Sequence, residues 1–82
     1  MEIPVLNLQA GKKAKIKRLE GGFEFQAKLA SLNIRVGKTI KMVTAQPFRG
    51  PVVIEVDDRK VTLGMGMAIR IFVEEEKSTT AE

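Results

Sequence analysis

The spacing of apolar residues changes from helical to alternating between Gln26 and Met42, and this stretch organises the rest of the chain. Phe25, Leu29 and Leu32 stand at i, i+4 and i+7, so they share one face of a helix. Asn33 follows. Its short polar side chain tolerates positive φ, which suits a left-handed helix stop. Ile34 then folds back as an apolar plug, and Gly37 stands where a tight turn wants positive φ at its third residue. Beyond it, Ile40 and Met42 alternate with Thr39 and Lys41, the pattern of a half-buried strand. The pattern predicts one short helix pinned to a sheet by Phe25, Leu29, Leu32 and Ile34, packed over Ile16, Ile40, Ile54 and Ile71.

Before the helix, Pro4 opens an extended lead-in containing Leu6 and Leu8, and Gly11 allows a turn. From Lys13 to Leu19, Ala14 and Ile16 point one way and Lys13, Lys15 and Lys17 the other, giving a strand with one wet, basic face. Gly21-Gly22 breaks it. The strand after the helix spans residues 38–45. Gln46-Pro47-Phe48-Arg49-Gly50-Pro51 reads as a stiff, exposed loop with Phe48 at its tip. Val52, Ile54 and Val56 form a third strand, Asp57-Asp58 a hairpin turn, and Val61 and Leu63 a short fourth strand. Gly64 to Ala68 is glycine-rich and predicts a single helical turn or bend. Ile69, Ile71 and Val73 alternate in a fifth strand, and residues 74–82 read as a disordered acidic tail. Five short strands and one helix predict a small, predominantly antiparallel barrel over residues 1–73.

Composition narrows the setting. At 82 residues the chain forms one domain with a thin core, since a fold this small hides only about 60% of its unfolded surface. It has no cysteine, hence no disulfide frame, which favours an intracellular setting. No signal peptide is visible, and no apolar run approaches the roughly 18 residues of a membrane span, so no membrane insertion is expected. Net charge is +4, with residues 74–82 carrying −3 and the remainder +7. That separation suits an acidic protein surface, a nucleic acid or an anionic membrane, or simply a solvated lysine face.

Catalytic chemistry is poorly supplied. Histidine and cysteine are absent, and Ser31 and Ser78 have no base nearby in sequence. Asp57-Asp58 reads as a solvated turn rather than a catalytic pair. Gly37-Lys38-Thr39 imitates the end of a phosphate-binding loop, but Leu32 occupies the position of the required first glycine and the helix precedes rather than follows it. For a transition metal only carboxylates and methionines are available, so no metal site and no cofactor are expected. Met42, Met65 and Met67 read as packing residues. Lys12, Lys13, Lys15, Lys17 and Arg18 form the densest basic cluster, without the interleaved aromatics that single-stranded nucleic acids favour.

Leu8-Gln-Ala-Gly11, Leu29-Ala-Ser-Leu32-Asn33-Ile34-Arg-Val-Gly37, Gly50-Pro51-Val52 and Ala68-Ile-Arg-Ile71-Phe-Val73 occur in the order found in the FeoA family, which this sequence resembles over nearly its whole length except the tail. Asn33 stands where that family usually has glycine, and Gly64 and Gly66 where it more often has charged residues. The resemblance implies an SH3-like barrel with one helix after its first strand. The same barrel resembles the C-terminal domain of iron-dependent repressors, but without their DNA-binding helices a repressor is not expected. The resemblance also implies a small cytosolic, non-enzymatic module of ferrous iron uptake in bacteria. Its partner would be the cytosolic GTP-binding part of the FeoB iron transporter, and homo-oligomerisation is left open. Candidate partner-binding residues are Phe48 and Arg49 in the proline-rich loop and Lys13, Lys15 and Lys17 on the first strand. The alternatives are a basic barrel that binds nucleic acid and a carboxylate-based sensor of a divalent metal.

Overall fold

Six antiparallel strands form one sheet in the order β1-β6-β2-β3-β4-β5 in the computed structural model, which describes residues 1–44 and 50–76. The strands are β1 (Glu2–Pro4), β2 (Lys13–Leu19), β3 (Thr39–Thr44), β4 (Val52–Val56), β5 (Arg59–Leu63) and β6 (Ile71–Glu75). Two helices interrupt them, α1 (Phe23–Ser31) and the single turn α2 (Met65–Ala68). The fold is the expected mainly-β, SH3-like one. The sheet is not closed on itself, and β1 and β5 are its edges.

Alternation builds the core. Ala14 and Ile16 of β2, Ile40 and Met42 of β3, Val52, Ile54 and Val56 of β4, and Ile71 and Val73 of β6 are buried, while the lysines between them on β2 and β3 are exposed. A bulge between Ile16 and Arg18 against β6 resets the phase of β2, so Lys17 and Arg18 are both exposed. Arg18 lies 4.3 Å from the centroid of the Phe72 ring and pairs with Glu2 and Glu20.

The corner after α1 is a Schellman motif. Ile34 N–H donates to the Leu29 carbonyl and Asn33 N–H to that of Ala30, each at 2.9 Å. Asn33 has φ 66°, the left-handed conformation the sequence predicts. Leu29 and Ile34, whose apolar contact accompanies this motif, are both fully buried. The chain then makes a second turn, closed by Lys38 N–H to the Arg35 carbonyl (3.1 Å), with Gly37 at φ 96°. Ile16 and this turn exchange two backbone bonds of 2.8 Å, Gly37 N–H to Ile16 and Ile16 N–H to Lys38. At the other end of α1, a Cβ at Gly21 would collide with the Phe25 ring, so that ring packs directly over the glycine.

Four expectations need correction. Leu32, predicted to be buried, is half-buried, because it forms the cap after the last helical turn rather than part of the inward stripe. Ile69, predicted to open the last strand facing inward, is 48% exposed. The α2 turn continues through it, with Ile69 N–H bonding to Met65 (3.1 Å) and Arg70 N–H to Met67 (3.0 Å). Glu74 and Glu75, read as the start of the tail, are the last residues of β6, where they pair with Lys15 and Ala14. The lead-in before Gly11 is more regular than expected. Glu2–Pro4 pairs with β6, and a 3-10 turn at Val5–Asn7 buries Val5.

Candidate functional site

The outer face of β2 and β3 gathers the candidate residues. Lys13, Lys15 and Lys17 are all exposed there, as the alternation predicts. The strand register sets their neighbours, with Lys15 opposite Thr39 on β3 and Glu74 on β6. Lys17 lies 3.5 Å from Glu74 on β6, and Lys12 lies 3.7 Å from Glu75. Lys13 stands directly opposite Lys41 of β3, and among the described residues neither is in an ion pair. Like charges directly opposed across a strand pair repel, and here Glu55 of β4, directly opposite Lys41 on its other side, offsets part of that repulsion.

Beside that pair lies a groove of about 300 Å³, lined by Lys13 of β2, Thr39 and Lys41 of β3, Glu55 of β4, and Asp57-Asp58 of the β4–β5 turn. Both aspartates have positive φ, 53° and 66°, as a two-residue hairpin turn requires. Asp57 is fixed. It accepts from Lys38 Nζ at 2.8 Å on both carboxylate oxygens and from Asn33 Nδ2 at 3.1 Å. The hydrogen bond from Lys38, ahead of its charge and of the Asn33 bond, holds the Asp57 carboxyl below the usual carboxylate range. The lysine of the phosphate-loop-like Gly37-Lys38-Thr39 is thus committed to tying the helix corner to the hairpin. Glu55 and Asp58 form no ion pair among the described residues. The groove therefore presents two ammonium groups and two carboxylates that form no ion pair among the described residues, with Glu55 directly opposite Lys41.

At the far end of β2, Glu74 accepts from the N-terminal amine at 3.2 Å. That hydrogen bond, then the amine's charge and Lys17, lower the Glu74 carboxyl from its ordinary value. The acidic end of β6 thus neutralises part of the basic β2 face that the sequence shows as separate.

Phe48 and Arg49, with Pro47, lie outside the described residues, as do residues 77–82. Sequence reasoning misses Lys41, Glu55 and Asp58 as site residues. Their outward orientation follows from alternation, but their convergence depends on the β2–β3–β4 register, for which the sequence carries no signal. Among the described residues no three His, Cys, Asp or Glu side chains converge as metal ligands would, and no helix is long and apolar enough to cross a membrane.

Comparison with known proteins gives a consistent result. Fe(2+) transport protein A of Methanocaldococcus jannaschii is 28% identical over 72 residues, which cover 88% of this chain and 85% of that protein. The crystal structure of an iron uptake regulatory protein, FeoA, superposes with a TM-score of 0.86 at 29% identity, covering 93% of this chain and all of that one. The solution structure of iron(II) transport protein A from Clostridium thermocellum gives 0.82 at 33% identity over 89% of this chain and 45% of that one. The FeoA domain model matches residues 3–75, from β1 to the last residue of β6, and the chain therefore belongs to the FeoA domain family.

Proposed function

We propose that this FeoA domain is a non-enzymatic accessory of ferrous iron transport that docks on the cytosolic GTP-binding part of a FeoB-type transporter. The observation that carries this reading is the groove between β2, β3 and the β4–β5 turn. It is open, its rim charges are in no ion pair among the described residues, and its walls come from adjacent paired strands. Charges of both signs on a frame of paired strands suit a protein partner, because they steer encounter and fix orientation. They suit a polyanion less, since Glu55 and Asp58 would repel phosphates beside Lys13 and Lys41. The relatives' names, which refer to Fe(2+) transport and iron uptake regulation, point to the same system. Iron is then the partner's cargo, which fits a chain lacking histidine and cysteine.

The test is co-purification of the tagged chain from detergent-solubilised membranes of its native cell. The expected result is recovery of the ferrous iron transporter by wild type and its loss from a Lys13→Glu, Lys41→Glu chain that melts normally. Recovery of nucleic acid in place of the transporter, or equal recovery by both chains, would overturn the reading.

A further inference from the structure

A β-protein can gain a strand only at a sheet edge, because half of an edge strand's backbone groups face outward. The two edges of this sheet differ. β1 is three residues long and ends in Pro4, and both features hinder further pairing. β5 has neither. Arg59–Leu63 contains no proline and pairs with β4 along its whole length without a bulge.

The hairpin turn decides which backbone groups of β5 face outward. A two-residue turn makes Val56 and Arg59 a hydrogen-bonded pair, and such pairs alternate along an antiparallel ladder. Arg59, Val61 and Leu63 therefore bond to β4, whereas the N–H and C=O of Lys60 and Thr62 point away from it. Among the described residues no other strand lies beside β5. Among the described residues no backbone group beyond the β4 ladder bonds to Lys60 or Thr62. Both residues are exposed.

Cations stand at the open edge and the nearest carboxylates behind it: Asp58 lies in the turn before Arg59, and Glu55 lies opposite Lys60 on β4. Arg59 and Lys60 are adjacent and exposed, and among the described residues neither is in an ion pair. The nearby Asp57 is held by Lys38 and Asn33, and Glu55 faces Lys60 from the β4 side, away from the open edge. Val61, between the two outward residues, is half-buried and turned toward the core.

We infer that the open edge of β5 accepts an extended acidic peptide segment as a seventh strand. Its backbone bonds to the free N–H and C=O groups of Lys60 and Thr62. A carboxylate lies beside Lys60 on the outer face, and an apolar residue lies beside Val61 on the inner face. Charge argues against a second copy as the occupant. Antiparallel pairing of β5 with itself about Val61 would set Arg59 and Lys60 against Leu63 and Thr62, leaving both cations without a partner. This edge is separate from the β2–β3 groove, so the proposal and the transporter reading can fail independently.

The test uses the full chain, labelled with ¹⁵N and titrated with two capped hexapeptides, one alternating glutamate and valine, the other lysine and valine. The glutamate peptide is expected to move the Lys60 and Thr62 amide signals downfield and slow their exchange by about tenfold. The lysine peptide is expected to do neither. Thr62→Pro removes one outward N–H without touching the β4 ladder, and Lys60→Glu reverses the charge; each is expected to abolish the response. If Thr62→Pro does not fold, Lys60→Glu alone decides. The proposal is overturned if the glutamate peptide leaves both amides unchanged, if both peptides act alike, or if the response is confined to Lys13 and Lys41. Sedimentation showing a dimer whose Lys60 and Thr62 amides are already protected would also overturn it.

Discussion

Asn33 closes α1 at φ 66°, and its replacement separates backbone geometry from side-chain bonding. Three variants, Asn33→Gly, Asn33→Ala and Asn33→Val, all lose the 3.1 Å bond from Nδ2 to Asp57, so that loss is common to the series. What differs is the cost of holding the left-handed conformation. Glycine has none, although it adds unfolded-state entropy, so Asn33→Gly is expected within about 1 kcal/mol of wild type. Alanine meets the steric penalty of an ordinary L-residue, about 1–2 kcal/mol. Valine adds β-branching at positive φ, so Asn33→Val is expected to cost about 2–3 kcal/mol relative to Asn33→Gly. The corner cannot relax cheaply, because the Schellman bonds hold Leu29 and Ile34, both fully buried, in place. With a urea slope of about 1 kcal/mol per M for a small domain, the Gly and Val midpoints should differ by about 2 M or more. Equal midpoints for the two variants, within about 0.5 kcal/mol, would show that the left-handed corner is not under steric control.

Three further outcomes are expected. Leu29→Ala should cost about 2–5 kcal/mol and Leu32→Ala clearly less, since Leu29 is fully buried and Leu32 only half, and urea melts of the two will rank them. The Asp57 and Glu74 carboxyls have folded values below their unfolded ones. Their stabilisation is therefore full above the ordinary carboxylate range and is lost as pH falls through the folded values. Acid titration of stability should show a shallower decline for an Asp57→Asn, Glu74→Gln chain than for wild type, and parallel curves would refute it. Phe48→Ala will separate two readings of the proline-rich loop: an unchanged melting midpoint with capture of the transporter domain lost makes Phe48 a docking anchor, and a loss of about 3 kcal/mol or more makes it a lid on the core.

The parts of the fold legible in the sequence are those where one residue type meets a local backbone demand. Asn33 at a helix stop, Gly37 in a turn and Asp57-Asp58 in a hairpin each took the predicted positive φ. Alternation placed the inward residues of β2, β3 and β4 correctly because a half-buried strand has period two. Features that depend on distant pairing were not legible. β1 has three residues, too few to show a period, and becomes a strand only because β6 lies beside it. Glu74 and Glu75 look like a polar tail but are held in β6 by pairing with β2. Ile69 follows the strand pattern in sequence yet caps a helical turn. The site divides the same way. Exposure of Lys13, Lys15 and Lys17 follows from alternation, whereas the pairing of Lys17 with Glu74 and the opposition of Lys13 to Lys41 follow from register.

Titration calorimetry between the chain and the purified cytosolic GTP-binding domain of its cognate ferrous iron transporter tests the docking reading most directly. The account predicts saturable one-to-one binding with a dissociation constant on the order of micromolar, weakened about tenfold or more by Lys13→Glu with Lys41→Glu. Heat indistinguishable from dilution at protein concentrations of about 100 μM, or binding unchanged by the two reversals, would contradict it.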